Sequence, residues 1–470
     1  MSRIQWKLAL LLGLTLAGCN LAPKYSQPKT PVPSHWPEGP AYKAEAGPTG
    51  AAPVQLHPED FIKDPNLLGV LQLALENSRD LRLAALNVAS ARSLYRIQRG
   101  ELFPSVGASL SGTKEHTSRD LSGPDQARTT ERYSVDLGVS AWEVDLFGRI
   151  RNLKQSALEQ FFAFEAYRRG AEILLLSEVS RAYYTLAADR ESLKLAGATL
   201  KTQQDSYDLV NTLYKNGLAT ELDLRRAETQ VEAAREDIGL YTQLTAQDIN
   251  ALNFLVGAPV PADQLPGGLV GIVPPETIGA GLSSDILLGR PDVEAAEHQL
   301  KAAYADIGAA RAAFFPRIGL TALGGTASRA LSGLFDAATG TWTFAAQAAM
   351  PVFDARTRPA LRLTENEKEI LVTEYEKAIQ TAFRETADTL AVLGTIDDRI
   401  QAHVALVQAS SEAYRLTQVR YKNGIDSYLG VLDAQRSLYS AQQGMVLLEL
   451  AKFSNQIRFY EVLGGQGYRP

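Results

Sequence analysis

The sequence predicts a mainly α-helical chain with a membrane β part, built as an internal tandem duplication. Each chain would give four strands to a twelve-stranded β-barrel closed by three copies and continued by a long α-helical barrel. Three observations carry this prediction: landmarks recur in the same order in both halves, short segments alternate with a period of two, and two helical stretches far exceed ordinary length.

The duplication is legible residue by residue. Leu102, Phe103, Pro104, Ser105, Val106 and Gly107 match Phe314, Phe315, Pro316, Arg317, Ile318 and Gly319, and Tyr214, Lys215, Asn216 and Gly217 match Tyr421, Lys422, Asn423 and Gly424. Between these pairs, Leu146, Phe147, Gly148 and Arg149 correspond loosely to Val352, Phe353, Asp354, Ala355 and Arg356. The predicted organisation is a signal peptide (1–18), a proline-rich strap (19–60), a first repeat (61–257), a linker (258–284), a second repeat (285–463) and a short tail (464–470).

Each element has a local cause. Arg3 and Lys7 precede or open a short apolar run at residues 8–17, the layout of a secretory signal. The strap carries Pro23, Pro28, Pro31, Pro33, Pro37, Pro40, Pro48 and Pro53, a density that forbids helix. In each repeat a helix (about 65–100 and 291–313) stops at Phe-Pro, where proline's missing N–H and fixed φ begin an extended run.

Tyr133, Val135, Leu137, Val139 and Ala141 then alternate with Ser134, Asp136, Gly138 and Ser140, and Trp342, Phe344, Ala346 and Ala348 repeat the pattern. Hairpins are predicted at about 103–147 and 315–353, with polar loops at about 119–132 and 329–341.

Two helical stretches follow, at about 150–214 and 358–421, each roughly 95 Å long at the α-helical rise. Ile379, Phe383, Thr386, Leu390, Leu393, Asp397, Ile400, Val404 and Val407 form a heptad seam interrupted by one carboxylate, as do Leu175, Val179, Ala182, Leu186, Asp189, Leu193, Ala196 and Leu200. Such helices need partners along their length.

Composition narrows the function. The 470 residues are 45% hydrophobic with a net charge of −6 spread over mixed-sign segments, so the basic stripe of a nucleic-acid binder is missing. The sequence offers no apolar run of the roughly 20 residues that a spanning helix needs. Four strands cannot close a barrel in lipid, so closure must come from further copies.

Enzymatic signatures are missing too. His35, His57, His116, His298 and His403 are scattered without metal-ligand spacing, and no cofactor or catalytic metal is predicted. Glu143 and Asp145, two apart, would share a strand face. A glycosidase-like pair is conceivable, but Trp142, Val144 and Leu146 on the opposite face favour a water side and a lipid side. Trp142 and Trp342 near hairpin ends suit a membrane girdle.

Arg290, Pro291, Asp292 and Val293, then Ala296, Glu297 and Ile307, Gly308, Ala310, Arg311, Ala312, Ala313, Phe314, Phe315, Pro316 resemble the signature of the outer-membrane efflux proteins. Trp142 to Arg149 and Leu432, Asp433, Ala434, Gln435, Arg436 fit as well. The likeness runs from the first residues to near the C-terminus, and is nearer to the OprM-type lipoproteins of the NodT subgroup than to the TolC type. It implies a homotrimer in the bacterial outer membrane with a large periplasmic helical part. It also implies passive export of drugs or other small molecules, and docking to a periplasmic adaptor protein and an inner-membrane pump.

Leu16, Ala17 and Gly18 before Cys19, the chain's single cysteine, resemble a lipobox, so Cys19 is expected to carry lipid. In OprM-like relatives a leucine ring and an aspartate ring with a nearby arginine close the periplasmic mouth; the matching positions are Leu429, Asp433 and Arg436, against Leu222, Arg226 and Thr229 in the first repeat. The turns Asn216-Gly217 and Asn423-Gly424 would form that mouth and meet the adaptor. A second reading is a non-porous periplasmic coiled-coil lipoprotein or adaptor bridging the membranes.

Overall fold

A computed structural model describes residues 19–42, 57–121, 128–275 and 283–465. The predicted signal peptide, residues 43–56 of the strap, residues 122–127 of the first hairpin loop, residues 276–282 of the linker and residues 466–470 of the tail lie outside them. After a single helical turn at Pro58–Phe61, the chain runs α1 (Pro65–Asn77), α2 (Arg79–Gly100), β1 (Val106–His116), β2 (Thr129–Val144), α3 (Arg149–Lys215) and α4 (Glu221–Val256). The second repeat follows a 3-10 turn with α5 (Pro291–Ala312), β3 (Arg317–Ser328), β4 (Gly340–Ala349), α6 (Thr357–Lys422) and α7 (Tyr428–Val462).

The chain divides into two compact units. One comprises the described residues of Met1–Lys29, Asn87–Phe164 and Ala295–Tyr375 and holds the sheet; the other comprises the described residues of Thr30–Leu86, Glu165–Glu294 and Glu376–Pro470 and holds both helical turns.

The unbroken helix expected over residues 65–100 is instead two. Ser78 leaves the helical region (ψ 129) while its N–H still bonds to Ala74 O at 2.8 Å, and its hydroxyl accepts from Leu81 N to start α2. Asn77 Nδ2 competes for Leu73 O, the local side-chain-to-backbone bonding by which Asn and Ser end helices. Gly257, with φ +78, closes α4 against the Asn77 carbonyl, where any Cβ would collide.

The four strands form one antiparallel sheet in the order β1-β2-β3-β4. Its register sorts the residues. Val106 pairs with Val139, Ala108 with Leu137 and Leu110 with Val135; across β2 and β3, Trp142 pairs with Leu320 and Val144 with Ile318. Trp342 and Phe344 lie opposite Gly324 and Ala322. These positions share one face, which is apolar. The other face carries Ser109 opposite Asp136 and Ser111 opposite Ser134, whose hydroxyls meet at 2.8 Å.

The apolar positions of β2 are odd-numbered up to Val139 and even-numbered from Trp142. A bulge at Ser140 and Ala141 absorbs the change of parity: the register shifts there, Ala141 adopts φ +54, and its N–H bonds to Thr321 Oγ1 at 3.1 Å. One inserted residue thus keeps the whole strand's apolar set on one side.

Glu143, on the face opposite Trp142 and Val144, and Asp145, just beyond β2, each hold an arginine of α3. Glu143 takes a bidentate bond from Arg149 (both 2.8 Å), and Asp145, beyond the strand, accepts from Arg151 N at 2.9 Å and from its guanidinium at 3.1 Å. Together they fix the first turn of α3, where the helix dipole favours negative charge.

The second unit packs Phe61, Leu67, Leu71, Val179, Tyr183, Leu186, Leu252 and Val256 into one core, with Phe61 stacked on Tyr460 at 5.7 Å. Each buried side chain of this size contributes about 1.5–3 kcal/mol.

Candidate functional site

The sites proposed from sequence fall into three places: the sheet, the helical turns and the N-terminal segment. In the sheet, the apolar face and both outer strands are open to solvent, while Ser134 on the polar face is buried. Every residue of β1 is exposed, and Leu110, Leu137, Trp342 and Phe344 are each more than 60% exposed although their apolar face is continuous. An apolar sheet face with two unpaired edges is a fragment of a closed membrane barrel.

The helical turns are copies of one another. Gly217 and Gly424 take φ +74 and +72; Leu218 N bonds to Leu213 O at 2.8 Å and Ile425 N to Arg420 O at 2.9 Å. Asn216 and Asn423 each donate Nδ2 to the carbonyl four residues back at 2.7 Å. The positive φ is available to glycine without strain, which reverses the chain in a few residues.

The helices that leave the two turns start differently. Thr220 and Asp223 make a reciprocal capping box at the start of α4. Ser427 makes no side-chain cap at the start of α7; instead Arg420 grips Asp426 through two bonds of 2.6 and 3.0 Å, holding that carboxyl below its usual range. Val210, Leu224 and Ala227 pack with Tyr428, Val431 and Leu432 behind both turns.

Leu429, Asp433 and Arg436 share the exposed stripe of α7, on the side away from buried Tyr428, Val431, Leu432 and Gln435. Arg436 bonds to Gln230 Oε1 on α4 at 3.2 Å. The same two helices continue the ladder with Tyr439 donating to Asp237 at 2.9 Å and Gln443 to Tyr241 at 3.3 Å. Gln230, Asp237 and Tyr241 recur at seven and four residues, a signal present in the sequence with no cause there to select it. In the first repeat Leu222 and Thr229 are exposed and Arg226 is half-buried.

A second group that the sequence did not single out is the carboxyl pair Asp189 and Asp248, joined by a hydrogen bond between α3 and α4. Burial, then the Asp189 carboxylate, pushes Asp248 up to about 7, and burial raises Asp189 as well. By spacing alone Asp189 is only a break in the heptad seam. The other seam carboxylate, Asp397, is exposed and bonds to Lys452 Nζ at 2.7 Å.

Cys19 is exposed, and its carbonyl lies beside Gly148. The segment after it is fastened to α5: Leu21 O accepts from Arg311 at 3.2 Å, Tyr25 donates to Glu297 at 2.8 Å and stacks edge-on against Tyr304 at 5.4 Å, and Lys301 sits over the Tyr25 ring at 5.3 Å. Among the described residues, no three His, Cys, Asp or Glu side chains gather as a metal-binding group, and no helix is long and apolar enough to cross a membrane.

A four-stranded sheet with one apolar face and open edges, joined in sequence to two long helical hairpins, defines an outer-membrane channel subunit. The outer membrane efflux protein profile matches residues 70–258 and 282–465, one match on each repeat. The chain belongs to the outer membrane efflux protein family.

The chain is 45% identical over 462 residues to a probable efflux pump outer membrane protein, TtgC of Pseudomonas putida, covering 96% of this chain and 94% of that one. To the outer membrane protein OprJ of Pseudomonas aeruginosa it is 38% identical, covering 97% and 95%. The open-state outer membrane channel MtrE of Neisseria gonorrhoeae superimposes with a TM-score of 0.85 at 35% identity, covering 96% and 99%. The protein is thus an outer-membrane efflux channel component, and the non-porous bridging reading is not favoured.

Proposed function

We propose that three copies of the chain close one barrel and one helical duct, through which small molecules handed over by an inner-membrane pump and a periplasmic adaptor leave the cell. The observation that carries this reading is the open, two-faced sheet: strands exposed at both edges are not viable in lipid until other copies pair with them. TtgC, OprJ and MtrE are named as outer membrane proteins or channels, and TtgC as part of an efflux pump, which supports the same assembly here.

Residues 61–257 and 285–463 serve as the two repeats, each giving one hairpin to the barrel and one to the duct. The turns at Asn216-Gly217 and Asn423-Gly424 form the adaptor-facing mouth. The exposed stripe of Leu429, Asp433 and Arg436 narrows it, and export requires no covalent chemistry. Cys19 carries the lipid anchor; its exposure suits acylation, and mass spectrometry of the native N-terminus decides it. The channel reading is tested by conductance in planar bilayers with the subunit count from native mass spectrometry. Three subunits with discrete conductance are expected, and a non-conducting species or a monomeric channel overturns it.

A further inference from the structure

The two repeats differ where their strands join their helices. In the second repeat the end of α5, the start of β3, the end of β4 and the start of α6 enclose a cavity of about 640 Å³. Its wall is made of small side chains: Ala310 and Ala313 near the end of α5, Ala349 on β4 and Ala360 on α6. Aligning Phe103-Pro104 with Phe315-Pro316, Phe147 with Phe353 and Arg149 with Arg356 puts Gln98, Glu101, Glu143 and Leu153 at these positions in the first repeat. All four are larger than alanine, so the space is not imposed by the shared fold.

Charge at this cavity is unbalanced. Arg317, Asp354 and Arg356 also line it. Arg356 is matched, because its guanidinium grips Asp354 through bonds of 2.9 and 3.0 Å. Arg317 is exposed, and among the described residues no hydrogen bond or ion pair engages its guanidinium; the first repeat has Ser105 there. An apolar wall thus carries one uncompensated positive charge. Strand register gives the side on which it lies. Arg317 pairs with Ala349, one position off the apolar pair of Ile318 and Ala348, and so belongs to the polar face. On α5, Ala310 and Ala313 point away from Gly308 and Arg311, which hold the segment after Cys19. In a closed barrel whose apolar face meets lipid, the cavity opens on the duct.

We infer that this cavity is a transit site for amphiphilic organic anions: the Arg317 guanidinium meets a carboxylate or sulfonate, and the alanine wall takes the apolar body. The inference rests on the channel reading and names a class of cargo for it. The volume suits a drug-sized molecule, and the alanines leave room that longer side chains would occupy. Uncharged molecules meet the wall alone and are held less. Because Arg317 stands in water, its preference for an anion is modest, about 5-fold, which suits a duct that must release what it holds.

Block of single-channel current tests it, with anilinonaphthalene sulfonate as the anionic amphiphile and N-phenylnaphthylamine as its uncharged analogue. In the parent channel the sulfonate is expected to block with an affinity about 5-fold above that of the amine. Arg317→Gln should remove that difference, Arg317→Lys should keep most of it, and Ala360→Leu should weaken both probes by filling the cavity. Equal block of the parent and Arg317→Gln by the sulfonate overturns the site, as does an Ala360→Leu channel that is blocked like the parent. Inorganic sulfate blocking as strongly as the probe means a bare anion site, which also overturns the proposal. If Arg317→Gln does not assemble, rising salt on the parent makes the same comparison. Screening should erase the sulfonate's advantage and leave block by the amine unchanged, and an advantage that survives overturns the role of Arg317. An assembled protein that never conducts sinks the channel reading, and the site with it.

Discussion

Arg436 on α7 donates its Nε–H to Gln230 on α4, 3.2 Å away, and so ties the stripe that carries Asp433 to the neighbouring helix instead of neutralising Asp433 directly. Arg436→Glu removes that tie and places a second carboxylate beside Asp433 in every copy. Because these side chains are exposed, an interaction of about 0.2–1 kcal/mol is at stake, so conductance at low salt should rise by roughly 1.4- to 5-fold. Screening at high salt should bring it back toward the unaltered channel. Gln230→Ala, which cuts the tie without adding charge, should do less. If Arg436→Glu assembles normally and conducts as the parent does at low salt, the constriction is elsewhere.

The carboxyl pair Asp189 and Asp248 makes stability depend on pH. Asp248 is raised to about 7 in the folded chain, against 3.8 for a free side chain, so the folded state holds a proton that the unfolded state has lost. Its stabilising contribution is complete below about pH 4 and is lost as pH climbs to about 7, where two neighbouring carboxylates must both be charged. Asp248→Asn should flatten that decline and raise the melting temperature at pH 8 by about 2 °C. Parallel melting curves for the two proteins between about pH 4.5 and 8 would contradict it.

Arg290, buried at the N-terminus of α5, grips Asp292 at 2.8 and 3.0 Å, reaches Glu385 at 3.1 Å and donates to Val462 O at 3.0 Å. Among the described residues, Arg290→Met leaves Glu385 a distant Arg458 at 3.9 Å and takes the Arg290 donor from the Val462 carbonyl at the end of α7. Breaking a buried charge cluster from one side costs about 3–5 kcal/mol. Asp292→Asn, at a half-exposed partner, should cost about 1 kcal/mol or less. Urea midpoints in detergent compare the two, and equal midpoints would remove Arg290 from the chain's stability.

Tyr25 holds the N-terminal segment with its ring and its hydroxyl. Tyr25→Phe removes the bond to Glu297 but keeps the stack on Tyr304; Tyr25→Ala removes both. Trypsin cleavage at Lys24 and Lys29 should therefore quicken by about 5-fold in Tyr25→Phe, from one lost hydrogen bond near 1 kcal/mol, and by more in Tyr25→Ala. Unchanged cleavage in Tyr25→Ala would mean that the segment is held elsewhere.

The sequence by itself determined the duplication, the two strand pairs and the long helices, because each rests on local rules. Proline stops a helix, period-two alternation makes a half-apolar strand, and Asn-Gly reverses a chain. The helix α3 spans Arg149–Lys215 and α6 spans Thr357–Lys422, within a residue or so of expectation. Where local rules compete, the tertiary structure decided: the break at Ser78 depends on Gly257 packing against Asn77 from a distant helix. The bulge at Ser140 and Ala141 needs Thr321 on β3 to satisfy it.

The partners of Arg436, Asp189, Glu143 and Asp145 were likewise outside the reach of spacing. A side chain's place on a stripe is fixed by the helix or strand it belongs to. The group it meets is fixed by which other element packs there, through contacts such as Gln230 with Arg436, some two hundred positions apart in the chain.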